Sequence, residues 1–335
     1  MQSSPFADPS RIMVDHMLGD NHIAYRQRLD ECLEDAGVTG SGSVLGRAAA
    51  TGLLAGQDGD LLKLALVAEA SAGRPALQCL ASDRYSLLAS MFGSVEQKSV
   101  IFAPSPPMQA LCIADRALVI EAAPDGFVAS GTIHSVRAAA NAEWLYLALF
   151  EEGGRACYLV SAASRGVNRK NAIATGSADV ELDRVSLTPG QRLTAKPEEL
   201  DRLLAVIGLF DGLEALAAGQ RLCDESVATA KSRPAGSATG FDDQDVQFRL
   251  ASAQARLMIA SGYRTAIFRD LMSERIDPFR AAVAKLWLSE CAEEVARVSV
   301  MAGLGPRNGT SEVITTMLAD AMRGNLLRDL VAEQF

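Results

Sequence analysis

Several things are scarce in this chain, and each scarcity closes off a class of chemistry. Histidine occurs three times in 335 residues. His134 has no second histidine at ligand spacing, no HxxxH string occurs, and no ladder of paired acids is present. That leaves no constellation for a metal centre, and His134 reads as an ordinary strand histidine. The six cysteines (Cys32, Cys79, Cys112, Cys157, Cys223 and Cys291) form no CxxC pair. They read as free thiols packed as small hydrophobes. A basic excess is also missing: the formal net charge is -9. A nucleic-acid binder needs a positive face to meet phosphate, so nucleic acid is disfavoured as a partner. No apolar run is read as reaching the ~18 residues needed to span a bilayer. No basic segment leading into an apolar stretch opens the chain. The expectation is a cytoplasmic protein with no membrane partner. Gly303-Leu304-Gly305 does not follow a strand pattern, which leaves a dinucleotide-binding Rossmann reading without support.

Apolar residues, by contrast, are plentiful at 49 %. That is enough for a sizeable core and argues against disorder. A length of 335 residues suggests two or three compact units at about 100–200 residues each.

The pattern along the chain divides it in three. From residue 9 to 100 it reads as helical, with Ile12, Met13, His16, Met17 and Ile23 at helical spacing, then Leu29, Cys32 and Leu33. Gly37 to Gly42 breaks that run, and helices follow at 60–73, 76–92 and from 94 onward. After Pro104-Ser105-Pro106-Pro107 the period changes to short strands at 118–121, 126–132, 144–150 and 156–160. Turns at Asp125-Gly126, Gly153-Gly154 and Pro189-Gly190 make this a small antiparallel β unit. Long helical patterns return at 198–230, 243–272 and 278–301, and a last helix starts near Thr310.

Several strings along this order resemble the acyl-CoA dehydrogenase family, and the resemblance covers nearly the whole chain. "DGFVASGTIHSVRAAANAEWLYLALF" (125–150) is similar to the family's strand, flavin-side loop and strand. "ADVELDRVSLTPGQRL" (178–193) resembles the segment closing that domain. "DDQDVQFRLASAQARL" (242–257) resembles the helix with a Phe-Gln-x-Val-Gln string, and 281–305 resembles the helix ending in a His-Gly-Gly-like turn. "GTSEVI" (309–314) resembles the string after the catalytic Glu.

The resemblance implies an α+β multidomain fold. It would have an N-terminal helical domain (1–103), a small middle β-barrel-like domain (104–195) and a C-terminal four-helix bundle (196–335). It implies FAD as cofactor and α,β-dehydrogenation of an acyl-CoA thioester, in which a carboxylate takes the α-proton and the β-hydride passes to flavin. A dimer or tetramer is expected. The residues implied at the flavin are Ser135, Arg233, Gln244 and Gly303. Arg233 matches an Arg whose partner is a neighbouring subunit's FAD pyrophosphate.

The departures are as informative as the matches. The family's Thr-Glu-Pro falls on Ala114-Asp115-Arg116. Its aromatic-Ile-Thr-Asn loop falls on Ser135-Val136-Arg137-Ala138, and its Arg-Gln-Phe-Gly turn on Arg233-Pro234-Ala235-Gly236. The catalytic Glu falls on Asn308 in one register and near Arg328 in another, and neither side chain accepts a proton at neutral pH. Some members carry the base on the bundle's first helix instead. Residues 207–209 hold no acid there, but Asp211 and Glu214 are close.

Ordinary roles are open too. Thr310 to Glu312 makes a good helix start, and Arg233 suits a helix end. Three readings follow: a base-less subunit acting with a homologous acyl-CoA dehydrogenase chain that binds FAD with it, a homo-oligomer with Asp211 or Glu214 as base, or a non-catalytic scaffold.

Overall fold

The computed structural model describes residues 18–36, 48–72, 78–114, 118–173, 176–234, 240–273 and 276–301. The expectations placed on Ile12 to Met17, on Gly37 to Gly42, on Gly303, on Asn308, on the helix near Thr310 and on Arg328 lie outside them.

Helices come first: α1 (Asp20–Ala36), α2 (Leu61–Ser71), α3 (Gln78–Ala81), α4 (Ser86–Phe92) and α5 (Val95–Ile101). Asp60 caps α2 by accepting from Lys63 N, and Ser94 with Gln97 forms a capping box on α5. The single helix expected over 76–92 is interrupted by a 3₁₀ turn, Ser82–Tyr85. The cause is a loop pressed against it. The Ala55 and Gly56 amides donate to the Asp83 carboxylate at 2.7 and 2.9 Å, and Ser86 Oγ donates to Asp83 O at 2.6 Å. A Cβ on Gly56 would lie 1.8 Å from Ser86 Oγ, so only glycine permits this approach. Side-chain competition for backbone groups tightens the turn.

Seven strands follow: β1 (Gln109–Ile113), β2 (Val119–Ala123), β3 (Gly126–Val136), β4 (Trp144–Glu151), β5 (Gly154–Ser161), β6 (Val167–Lys170) and β7 (Ala178–Leu187). They form a three-stranded sheet ordered β1-β4-β5 and a four-stranded sheet ordered β2-β3-β7-β6. The wholly antiparallel unit expected from the turns is corrected at one pair. β1 runs parallel to β4, because the chain crosses to the other sheet for β2 and β3 before it returns. β4 and β5 are apolar on both faces because each face meets a different core. Tyr146, Ala148, Cys157 and Leu159 pack toward the helices, whereas Leu145, Leu147, Tyr158 and Val160 pack on the second sheet.

Three long helices complete the described chain: α6 (Pro197–Lys231), α7 (Gln244–Met272) and α8 (Pro278–Met301). Proline opens α6 and α8 at positions whose N–H would be unpaired anyway. Asp243 caps α7 through the Asp245 and Val246 amides. α8 lies tight on α6 because α6 carries glycine at the contact: a Cβ on Gly212 would sit 2.9 Å from Lys285 Cα. α6 is, after all, long and apolar enough to cross a membrane by length and composition. Its most apolar window is 83 % buried inside the fold, so its apolarity is that of a central core helix. Ion pairs tie the helices together as well. Arg264 on α7 pairs with Glu69 on α2, and Arg221 on α6 donates to the Glu69, Ala70 and Ala72 carbonyls at the end of α2. Among the described residues Cys32, Cys112, Cys157, Cys223 and Cys291 are free, and all but Cys32 are buried.

Candidate functional site

The two acids singled out on α6 sit at its middle, where the helix meets both the 3₁₀ turn and the loop after β3. Two arginines from those segments converge on them. Arg84 reaches Asp211 Oδ1 through Nη1 at 3.2 Å and Glu214 Oε2 through Nη2 at 2.8 Å. Arg137 reaches Asp211 Oδ1 through Nη1 at 3.1 Å and Glu214 Oε1 through Nη2 at 2.8 Å. Each carboxylate is thus shared by both guanidinium groups. The Arg84 Nη1 contact is one of charge, because its N–H is not aimed along a hydrogen bond, and Arg84 Nε also lacks a hydrogen-bond partner among the described residues. Side-chain exposure is 0 % for Glu214, 3 % for Arg84, 11 % for Arg137 and 22 % for Asp211.

Local structure aims each arginine. Arg84 stands on the 3₁₀ turn pinned through Asp83. Arg137 stands between Ser135 and Ala138, which adopt φ of 51° and 60°. Such left-handed backbone is costly for residues other than glycine, so the surroundings must hold it. One tie is visible: the Ser135 amide donates to Asp179 Oδ1 on β7 at 2.7 Å.

The electrostatics follow from burial and these partners. Burial alone would raise the Asp211 carboxyl, but Arg84 first, then Arg137 and Lys285, outweigh it and hold the group below its ordinary value. Burial would likewise lower both arginines, and the two acids hold them above the usual range. A depressed, doubly paired carboxylate is a weak proton acceptor. The sign of the pH dependence is fixed too. A carboxyl depressed in the fold adds stability that is fully present above its unfolded value, 3.8, and is lost as pH falls through the lower folded value. The urea midpoint of the native chain is therefore expected to converge on that of Asp211→Asn as pH falls below 3.8. A gap that stays constant in acid would contradict the pairing.

A cleft of about 740 Å³ opens beside the first turns of α6, with Leu62, Leu87, Phe92, Leu203 and Val206 among its walls. It shares no residue with the ion-pair cluster. Two of its carboxylates already serve as caps, Asp60 for the Lys63 amide and Glu199 for the Lys196 amide.

Of the remaining residues expected at a cofactor, Ser135 adjoins the cluster, as described. Gln244 is exposed at the first position of α7. Arg233 lies just past the end of α6, whose last residue is twenty positions beyond Asp211, or about 30 Å at 1.5 Å per residue. Arg84 was missed in the sequence. Its only signal was a charged pair, Asp83-Arg84, inside a largely apolar helical stretch.

Residues 211–310 match the family model for the acyl-CoA dehydrogenase C-terminal domain. The chain has the acyl-CoA dehydrogenase fold. Three solved structures carry that likeness over nearly the whole length. The ChsE4-ChsE5 complex from Mycobacterium tuberculosis aligns at 17 % identity with TM-score 0.74, covering 95 % of this chain and 98 % of that one. An acyl-CoA dehydrogenase from Geobacillus kaustophilus aligns at 14 % identity with TM-score 0.74 and the same coverage, 95 % and 98 %. A variant of the Tcur3481-Tcur3483 steroid ACAD aligns at 16 % identity with TM-score 0.72, covering 94 % and 99 %. No curated protein matches the chain. The resemblance read from the quoted strings therefore holds. So does the coarse fold, an α+β chain with β sheets and a helical C-terminal region.

The acyl-CoA dehydrogenase fold implies a flavin, and the donors present can be tested against it. The loop 135–138 is the one that resembles the flavin-side loop. Its Ser135 amide is committed to Asp179, and its Arg137 guanidinium is committed to Asp211 and Glu214. These two groups are engaged inside the chain, so they do not fit a flavin held at this loop.

Proposed function

We propose that the chain is a supporting subunit of a heteromeric, flavin-dependent acyl-CoA dehydrogenase and has no base of its own. One observation carries this reading: Asp211 and Glu214, the acids nearest the alternative base position, are each held by Arg84 and Arg137. The usual base position falls on Asn308 or Arg328, and neither takes up a proton. A homologous partner chain then supplies the base and holds the FAD. The substrate is an acyl-CoA thioester with a bulky acyl group of the steroid-derived kind. That class is suggested by the steroid enzyme and the two-chain complex among the similar structures.

The place of Arg233 agrees with this reading. A residue about 30 Å along α6 from the cluster does not touch it, which supports a role at another centre. With Gln244 on the next helix it is assigned to the partner's FAD, whose pyrophosphate an arginine suits. The three units are taken as 1–103, 104–195 and 196–335, with a barrel-like middle and a four-helix bundle. Phe248, Met258 and Ile259 on α7 are 65 %, 56 % and 65 % exposed, which favours association into a dimer or tetramer.

The test is turnover of acyl-CoA with a dye acceptor, for the chain alone and for the chain co-purified with an adjacently encoded acyl-CoA dehydrogenase. Activity is expected only in the second sample. Full activity of the pure chain would overturn the proposal.

A further inference from the structure

The cluster poses a problem of its own. Two arginines and two carboxylates are drawn from three segments far apart in sequence and meet where α6, the 3₁₀ turn and the loop after β3 join, Arg84 and Glu214 buried and Arg137 and Asp211 half-buried. Withdrawing these charges from water, two of them fully, costs desolvation that their mutual attraction roughly offsets, so well-packed apolar residues would hold these segments together as firmly. Stability alone does not account for the arrangement. What ion pairs do that aliphatic side chains do not is fill the junction with groups that an apolar or aromatic guest cannot displace cheaply. Removing either arginine from the acids would leave buried charges unpaired.

We propose that Arg84, Arg137, Asp211 and Glu214 form a plug that closes this chain's own centre against flavin and acyl group alike. The inference rests on the supporting-subunit reading and names the residues that enforce it. Three features of the geometry make the plug firm. Glu214 is fully buried with both oxygens engaged at 2.8 Å. Arg84 is fixed from behind, because the neighbouring Asp83 holds the 55–56 loop. Arg137 comes from a backbone held in two left-handed residues, with the Ser135 amide tied to Asp179, so the loop presents its guanidinium to α6. The four formal charges cancel among themselves, and Lys285 on α8 adds a further positive charge that acts on Asp211.

The plug is tested by titrating FAD into the full chain and following the quenching of FAD fluorescence. The native protein is compared with two double variants. Arg137→Thr with Asp211→Val keeps the Arg84–Glu214 pair. Arg84→Leu with Glu214→Leu keeps the Arg137–Asp211 pair. Each removes one acid and one base, so the net charge is unchanged, and folding is checked by near-ultraviolet circular dichroism. The native chain is expected to give no saturable quenching. At least one folded variant is expected to bind FAD about tenfold or more tighter. Saturable binding of one FAD per native chain would overturn the plug. So would two folded variants that bind no better than the native chain. Because the readout is fluorescence of the lone chain, the plug can fail while the co-purified heteromer still turns over acyl-CoA, and the reverse.

Discussion

Glu214→Ala is expected to lower the stability of the folded chain by about 3–5 kcal/mol, the range for breaking a buried charge pair from one side. The side chain has no exposure, and each of its oxygens takes a hydrogen-bonded N–H from a different arginine at 2.8 Å. Without it, Arg84 and Arg137 share Asp211 Oδ1 alone, and one buried positive charge is left uncompensated. The loss is therefore that of a stranded charge, larger than the net worth of the bond. The control is paired removal. Arg84→Leu with Glu214→Leu strands nothing and is expected to lie within about 1–2 kcal/mol of the native chain, given that apolar replacement of buried pairs is often neutral. Urea unfolding decides the matter, provided the slope stays constant so that the midpoint reports stability. Equal losses for the single and paired changes would show that the cluster is not a closed electrostatic unit.

Asp83→Ala is the second large effect, for a different reason. Asp83 is only 6 % exposed, and its carboxylate accepts from the Ala55 amide at 2.7 Å and the Gly56 amide at 2.9 Å. Hydrogen bonds to a charged group are worth about 1.5–3 kcal/mol each, and removing the acceptor leaves two buried amides unpaired. Burial pushes the Asp83 carboxyl above its ordinary value, so part of that gain is already spent on desolvation. The net loss expected is about 2–4 kcal/mol. It should be accompanied by faster hydrogen exchange at Ala55 and Gly56. Asp83→Asn retains one acceptor oxygen and is expected to lose less. If Asp83→Ala leaves exchange at these amides unchanged, the pinning of the 3₁₀ turn, and with it the aim of Arg84, is wrongly described.

Much of the fold was legible because the long helices carry their own punctuation. Pro197 and Pro278 start α6 and α8, and Asp243 caps α7, within a residue of where apolar periodicity put those helices. β4 and β5 were legible as apolar runs. β7 was not read as a strand, although it resembled the family's closing segment. Its alternation is interrupted near Arg184, which takes φ 52° where the ladder with β3 shifts register. β1 and β6 are five and four residues long, too short to establish a period. The parallel β1–β4 pair is a fact of chain crossing that no local pattern encodes.

The site was half legible. Asp211 and Glu214 stood out by their place on a helix. Their partners are 130 residues away for Arg84 and 74 and 77 for Arg137, and only the fold brings them together. Arg137 had been visible only as a misfit in a flavin-side loop. The structure gives that misfit a physical role, as a counter-charge for Asp211 and the buried Glu214.

The central claim, that this chain supports another chain's flavin centre and carries none that works alone, is tested most directly by one ratio. It is the flavin-to-protein ratio, by absorbance, of the chain purified alone and after co-expression with an adjacently encoded acyl-CoA dehydrogenase. The account predicts a colourless lone chain and flavin in the co-purified complex. A lone chain that purifies with one flavin per protein would contradict it, and flavin in neither sample would leave only a scaffold with this fold.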